Sequence, residues 1–133
     1  TALAEDEILT EIRIPSPLSA SGGAYLKIER KVGDYAAAAV ACQLNIDSSG
    51  SIENIGLGLT NVGSTPIRAS SAEELLKGKK PDENMLAEAG RLAAADSEPM
   101  EDLRGSAEYK RALVNELTQR ATKLSLQRAE GSR

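Results

Sequence analysis

The first half of the chain is built from segments in which apolar and polar residues alternate, the period of a β-strand that buries one face. Four segments have this pattern, at positions 8–15, 24–30, 40–47 and 52–63. Because turn-forming stretches such as 47–51 separate them, they predict an antiparallel sheet whose second face is open to water. The residues predicted to face the core are Ile8, Ile12, Ile14, Ala24, Leu26, Ile28, Val40, Cys42, Leu44, Ile46, Ile55, Leu57 and Leu59.

The second half of the chain has the three- and four-residue spacing of helices, over 70–78, 81–96 and 105–129. Ser71 and Glu74 predict a capping box for the first helix, and Gly78 predicts its end. Ser106 predicts the N-terminal cap of the third helix, which also carries an apolar stripe. Strands followed by helices predict an α+β domain: an antiparallel sheet of three to four strands, covered on one face by about three helices from the C-terminal half. The predicted stripe is Tyr109, Leu113, Leu117, Ala121 and Leu124.

The residue content excludes several kinds of chemistry. The chain has 133 residues, the size of one domain, with no histidine and with Cys42 as its only cysteine. A disulfide, a zinc site and Ser-His-Asp or Cys-His catalysis therefore have no ligands or partners here, and we predict neither catalytic residues nor metal ligands. Cys42 shares a face with Val40 and Leu44, which predicts buried packing. These absences also favour a reducing, cytoplasmic setting.

The charge distribution and hydropathy exclude two further classes of partner. The formal net charge is −4, with acidic and basic residues interspersed, whereas nucleic-acid binding depends on clustered lysine and arginine. No apolar run approaches the roughly 20 residues that a membrane-spanning helix requires. We therefore predict that the chain binds no nucleic acid and has no membrane span.

One candidate site lies at the end of the second alternating segment, where the Gly33-Asp34 turn interrupts it. Lys27 falls on the polar face of this segment, and Tyr35 follows the turn at the entrance to the next strand. A cation and an aromatic ring on connected elements can hold a flat, electron-accepting ligand, the ring by stacking and the ammonium by supporting negative charge. The residues alone leave a second interpretation open, with Lys27 a solvated strand lysine and Tyr35 a half-buried spacer.

Two other segments carry candidate residues. The glycines between positions 56 and 63 match neither the dinucleotide fingerprint nor the phosphate-binding loop, so they indicate a bulge or a close backbone approach. Arg68 stands between a strand-breaking proline and a helix start, which favours a structural pairing with a carboxylate or with carbonyls. Asp102, Arg104 and Ser106 crowd the entrance to the third helix, and a well-capped helix is sufficient to account for them.

Three stretches of sequence, taken in order, resemble the C-terminal domain of the FAD-binding medium subunit of molybdenum hydroxylases. They are YLKIERKVGDYAAAAVA at 25–41, GLGLTNVGSTPIRASSAEELLKG at 56–78 and DLRGSAEYKRALVNELTQRA at 102–121. The resemblance is strongest to the aerobic carbon monoxide dehydrogenase family and more distant to xanthine dehydrogenase. It implies that residues 1–133 form a single domain, the C-terminal domain of a larger subunit whose N-terminal FAD-binding region is absent here. The start at Thr1, without a methionine, agrees with a fragment or a processed chain.

The resemblance also implies a function. In that family, electrons leave a molybdopterin site on a large subunit, pass [2Fe-2S] clusters on a small subunit and reach FAD, whose isoalloxazine ring this domain caps. It implies that Lys27 and Tyr35 are cofactor-binding residues, and that the 133 residues alone retain little FAD and no activity. The substrate stays open among carbon monoxide, aldehydes, purines and other N-heterocycles. Two alternatives from the residues are a non-catalytic protein–protein interaction module of the same fold and an unrelated ligand-binding domain.

Overall fold

The structure, a computed structural model, describes residues 3–132, so the predicted domain limits Thr1 and Arg133 lie outside the described residues. It has a four-stranded antiparallel sheet in the order β1-β2-β3-β4, followed along the chain by three helices, which confirms the predicted α+β fold. The elements are β1 (Ser21–Ile28), β2 (Ala38–Ile46), β3 (Ile52–Thr60), β4 (Ile67–Arg68), α1 (Ser70–Leu76), α2 (Glu83–Asp96) and α3 (Ala107–Gly131).

The register of the sheet aligns the predicted apolar residues on one face. Cys42 of β2 lies opposite Ala24 of β1 and Leu57 of β3. Two residues earlier, Val40 lies opposite Leu26 and Leu59 on the same face. These side chains form a core with the helices, whereas Ile28 at the end of β1 stays exposed. Burying one such aliphatic side chain stabilises the fold by about 1.5–3 kcal/mol, so this face accounts for much of the sheet's stability.

Helix α3 packs on this face at very short range. A Cβ atom added to Gly22 of β1 would lie 2.1 Å from the Ser125 carbonyl oxygen of α3 and 2.6 Å from the Ala129 nitrogen. A Cβ atom added to Gly90 of α2 would likewise lie 2.4 Å from Asn115 Oδ1 of α3. Small residues therefore set the distance at which α3 can cover the sheet.

The segment 8–15, predicted as the first strand, is not a strand, and this prediction was wrong. Its apolar side chains point into solvent, with Ile8 85% and Ile14 87% exposed. A strand needs a partner for its backbone groups, and no other described segment pairs with this one. The fourth strand is instead β4, whose two residues pair with the end of β3, Leu59 with Ile67 and Gly58 with Arg68.

The predicted capping box of α1 was also wrong. Ser71 lies inside the helix, and its hydroxyl donates to Asp96 Oδ1 at the end of α2, at 2.9 Å. Residue Ala69, which precedes the helix, has no side chain that can cap it. The packing of α1 against α2 therefore uses the serine that the local pattern assigned to a cap. Gly78 does end this helix region, in a left-handed conformation with φ of +74°.

Helix α3 confirms one local prediction and shifts another. The Ser106 hydroxyl accepts a hydrogen bond from the Tyr109 N–H at 3.1 Å, which is the predicted cap. Tyr109 itself is exposed, so the predicted stripe is wrong at its first position and correct at Leu117 and Ala121. Small and hydroxyl-bearing residues face the sheet because α3 approaches it so closely. The buried residues of α3 are Lys110, Val114, Leu117, Thr118, Ala121, Thr122, Ser125 and Ala129.

Within residues 3–132, the structure contains no helix that is both long enough and apolar enough to cross a membrane. The three helices instead carry polar and charged residues on the sides that face away from the sheet.

A candidate cofactor-facing cleft around Tyr35

The loop between β1 and β2 presents Tyr35 on a fixed backbone. Gly33 adopts φ of +86°, a left-handed conformation that favours glycine, and the Ala37 N–H donates to the Ile28 carbonyl at 2.7 Å to close the loop. The Asp34 carboxylate accepts the Tyr35 N–H at 2.8 Å. Tyr35 is nevertheless 76% exposed. The loop therefore holds the backbone of the tyrosine while most of the residue's surface stays open to another group.

Two side chains from distant parts of the chain bind the carbonyls of this loop. Asn61, after β3, donates to the Ala36 carbonyl at 2.9 Å. Arg104, which precedes α3, donates through Nε to the Tyr35 carbonyl at 3.3 Å. The Arg104 guanidinium also lies 5.5 Å from the centroid of the Tyr35 ring, within the range of a cation–π contact. Tyr35 is thus fixed by contacts on its amide, its carbonyl and its ring.

The turn that carries Arg104 is anchored by a buried lysine. The Lys110 side chain is only 4% exposed, and its ammonium donates to the Met100 carbonyl and to Asp102 Oδ2, both at 2.8 Å. Asp102 Oδ1 in turn accepts the Arg104 N–H at 2.8 Å. A buried ammonium must be paired to be tolerated, so this interaction locks the turn against the start of α3.

The electrostatics of this region follow from these pairs. The hydrogen bond from Lys110, together with the Arg104 N–H, holds the pKa of Asp102 below its usual range. The pKa of Asp34 is also lowered, first by the Tyr35 N–H and then by the positive charges of Arg104 and Arg30. Both carboxylates therefore stay ionised at neutral pH and hold their cationic partners in place.

These elements enclose a cleft of about 290 Å³, close to the lower end of the size range of ligand pockets, which begins near 300 Å³. Its walls combine the exposed tyrosine ring with amide, guanidinium and carboxylate groups, so it can receive one polar edge of a flat molecule rather than enclose a whole cofactor. The lining residues are Tyr35, Ala36, Asn61, Gly63, Met100, Glu101, Asp102, Arg104 and Lys110.

Lys27 does not line this cleft. It lies opposite Ala39 in the sheet, and its ammonium pairs with the Glu29 carboxylate at 2.5 Å. That hydrogen bond raises the pKa of Lys27, so the lysine stays protonated, and the adjacent Glu29 carboxylate partly offsets its positive charge. The structure therefore brings Tyr35 together with Arg104 and Asn61, whereas Lys27 has a separate partner. The roles of Lys27 and Tyr35 toward a cofactor stay predictions.

The sequence did not indicate Asn61 and Lys110 as members of this site. Asn61 has φ of +63°, and asparagine tolerates this conformation better than most residues, but a lone asparagine in a loop predicts no contact 25 residues away. Lys110 lies where α3 reads as an ordinary helix. Arg104 and Asp102 stand at a helix entrance and Tyr35 follows the Gly33-Asp34 turn, and these positions are the local signals of the cleft in the sequence.

The other sequence-selected residues are structural, as predicted. The Arg68 guanidinium pairs with the Glu73 carboxylate at 2.8 Å, and Glu73 also accepts the Leu57 N–H at 2.8 Å, which ties α1 to β3. Cys42 is buried in the core, and its burial raises the pKa of the thiol. Across the part of the chain that the structure describes, no group of three His, Cys, Asp or Glu residues is arranged to hold a metal ion.

Comparisons with known proteins agree with this fold over most of its length. A family model described as CO dehydrogenase flavoprotein C-terminal domain matches residues 23–124. The carbon monoxide dehydrogenase medium chain of Afipia carboxidovorans is 42% identical over 98% of this chain. The medium chain of Hydrogenophaga pseudoflava is 38% identical over 91% of this chain. This chain spans 45% and 42% of those relatives, less than half of their length.

A solved structure gives the same result in three dimensions. It is a carbon monoxide dehydrogenase from Hydrogenophaga pseudoflava that lacks the Mo-pyranopterin moiety of the molybdenum cofactor. The two folds agree with a TM-score of 0.91 at 40% identity, over 96% of this chain and 44% of that one. Sequence and fold thus agree on one assignment: the chain belongs to the CO dehydrogenase flavoprotein C-terminal domain family.

Proposed function

We propose that this chain is the C-terminal domain of the FAD-binding medium subunit of a molybdenum-containing hydroxylase or dehydrogenase. In this role it caps the isoalloxazine ring of FAD while electrons pass from a molybdopterin site through [2Fe-2S] clusters to the flavin. The observation that carries the proposal is the exposed Tyr35 ring on a backbone bound by Asp34, Asn61 and Arg104. Membership of the flavoprotein family supports it.

The residues around Tyr35 fit one end of such a cofactor. An isoalloxazine ring has flat faces and an edge of carbonyl and N–H groups, which match an aromatic ring and the polar groups of the cleft. The cleft's volume of about 290 Å³ fits this edge but not the ribityl chain and the pyrophosphate. We propose that the N-terminal FAD-binding region of the same subunit holds those parts.

Each of the two candidate residues then has a physical task. FAD supplies the electron-accepting chemistry when it is bound. The Tyr35 ring covers one side of the isoalloxazine and restricts the access of water and of oxidants to it. The Lys27 ammonium, held on the open face of the sheet by Glu29, lowers the electrostatic cost of negative charge nearby. Because Glu29 neutralises part of this charge, the effect of Lys27 on the flavin is the smaller of the two.

The test uses the complete subunit loaded with FAD and compares Tyr35→Ala with Tyr35→Phe. If Tyr35 covers the flavin, Tyr35→Ala changes the visible flavin spectrum and speeds the reoxidation of reduced flavin by oxygen. Tyr35→Phe keeps the ring and stays close to the original protein. Anaerobic reduction followed by mixing with oxygen measures both properties. Identical spectra and reoxidation rates for all three proteins would remove Tyr35 from the flavin site.

A second measurement tests the division of the cofactor between two regions. Purified as 133 residues alone, the chain is expected to carry little FAD, because it contacts one end of the cofactor only. Absorbance in the visible flavin bands, compared with that of the complete subunit, measures the bound fraction. Stoichiometric FAD on the 133 residues would contradict this part of the proposal.

The same proposal assigns three partners: the N-terminal region of the subunit, an iron–sulfur small subunit and a molybdopterin large subunit. A cytoplasmic assembly fits a domain whose single thiol, Cys42, is buried and reduced. We keep the non-catalytic interaction module as the alternative because the open face of the sheet is lined with small residues, onto which a partner can pack closely. Under that alternative, Tyr25→Ala on the open face weakens subunit association, and Tyr35→Ala leaves the flavin spectrum unchanged.

A further inference from the structure

We propose that Arg104 is the positioning residue for Tyr35, holding the phenol ring in the orientation that faces the cofactor. This inference rests on the proposed function, since it gives Tyr35 a ligand to face. Arg104 and Tyr35 are 69 residues apart in the sequence, and their contact brings the entrance of α3 to the loop between β1 and β2.

The contacts of Arg104 restrict Tyr35 in three ways. Its Nε donates to the Tyr35 carbonyl at 3.3 Å, and its guanidinium lies 5.5 Å from the ring centroid. Its Nη2 lies 3.5 Å from the Asp34 oxygen that accepts the Tyr35 N–H. One side chain therefore contacts the Tyr35 carbonyl, the Asp34 carboxylate that binds the Tyr35 N–H, and one face of the ring. A rotation of the ring away from this position gives up the cation–π contact.

Arg104 can act in this way because it is itself held. A free surface arginine loses much rotamer entropy when it is fixed, which usually offsets the gain from a single contact. Here the Arg104 backbone is bound by Asp102, which is in turn bound by the buried Lys110 ammonium. Its side chain is less than half as exposed as that of Arg91 on α2, which pairs with Glu88 on its own helix. Lys110 of α3, acting through Asp102, thus holds the Arg104 backbone in place before any ligand binds.

The geometry demands arginine rather than any cation. A lysine at position 104 keeps the positive charge but has no Nε–H, and it cannot donate to a carbonyl while it presents a flat face to a ring. Charge alone therefore does not reproduce the arrangement. This separates a positioning role from a general electrostatic effect on the flavin, which Arg104→Lys would preserve.

The test measures the FAD dissociation constant and the visible flavin spectrum of the complete subunit, with thermal unfolding as a check on folding. The variants are Arg104→Gln, Arg104→Lys, Tyr35→Ala and the double variant Tyr35→Ala/Arg104→Gln. Arg91→Gln is the matched control, since it removes an arginine–carboxylate pair on an exposed helix surface away from the cleft. Should Arg104→Gln fold poorly, Arg104→Lys carries the comparison.

We expect Arg104→Gln and Arg104→Lys each to raise the FAD dissociation constant by about two- to five-fold, the loss of one exposed cation–π contact, and to alter the flavin spectrum. In the Tyr35→Ala background, Arg104→Gln then adds no further change, because the ring it positions is gone. Arg91→Gln leaves the flavin unchanged.

The failing outcomes differ for the two proposals. If Tyr35→Ala changes the flavin but neither Arg104 variant does, the positioning role is wrong and the flavin role of Tyr35 stands. An Arg104→Gln effect of equal size in both backgrounds also overturns the positioning role, since the arginine then acts without the tyrosine. If neither Tyr35→Ala nor the Arg104 variants change the flavin, the proposed function of the cleft itself fails.

Discussion

The helix-covered face of the sheet carries large aliphatic side chains, whereas its open face carries small and polar residues. Leu57 on the covered face is 1% exposed and packs with Val40 and Leu59, while its neighbours Gly56 and Gly58 point the other way. The residues of the open face across β1, β2 and β3 include Gly23, Tyr25, Lys27, Ala39, Ala41, Gln43, Gly56 and Gly58. The two faces alternate residue by residue along the same strands.

This difference shows what each face does. The covered face supplies the hydrophobic energy that holds the domain together, and it has no room for additional atoms because α3 lies so close to β1. The open face of β1 to β3 carries no large aliphatic side chain, and its small residues let another surface approach the backbone. Tyr35 lies beyond the end of both faces, on the loop that joins β1 and β2. Stability and recognition are therefore separated within one small sheet.

The largest expected effect comes from removing a side chain of the covered face. Leu57→Ala should lower the free energy of unfolding by about 2–5 kcal/mol, because it leaves a cavity in a core that cannot collapse to fill it. Leu103→Ala removes the same atoms from a leucine that is exposed, and it should change stability by less than about 0.5 kcal/mol. Urea unfolding measures both. Equal effects at the two positions would show that the covered face is not the stabilising core.

A smaller effect separates two adjacent glycines that point to opposite faces. Gly22→Ala places a Cβ 2.1 Å from the Ser125 carbonyl of α3 and should destabilise the fold by about 1–3 kcal/mol, since a whole helix must move. Gly23→Ala clashes with the end of the flexible Gln43 side chain, which can rotate away, and makes an ordinary van der Waals contact with the Cys42 carbonyl. Thermal unfolding of the two variants compares the faces directly. A Gly23→Ala loss as large as that of Gly22→Ala would contradict the difference between them.

The smallest effect is expected from acid, and it acts on the cleft rather than on either face. The pKa of Asp102 is lower in the folded chain than its ordinary value of 3.8, mainly because Lys110 donates to it. Its stabilising contribution is therefore complete above that ordinary value and is lost as the pH falls through the lowered one. Thermal unfolding measured between pH 7 and pH 3 should show an unfolding temperature that decreases only at the acid end of this range. Asp102→Asn should reduce this decrease, and an unchanged profile would exclude Asp102 as its source.

Two alternating segments show how far the sequence predicts the sheet. Positions 24–30 and 8–15 have the same period, yet only the first forms a strand, over positions 24–28 of β1. Alternation specifies which side chains share a face, but a strand also needs a neighbour to pair with its backbone, and nearby residues do not encode that neighbour. The same reasoning explains Ser71, whose local pattern fits a cap and whose actual partner is Asp96 on α2.

The sequence by itself determined that strands precede helices, most of the buried face of β1 to β3, the Ser106 cap and the family, because these depend on local periodicity or on residues in a fixed order. Only the tertiary structure decided that Arg104, Asn61 and Tyr35 meet in one cleft and that Lys27 pairs elsewhere. Contacts between residues 25 and 69 positions apart depend on how the sheet and α3 pack, and that packing is a property of the whole chain.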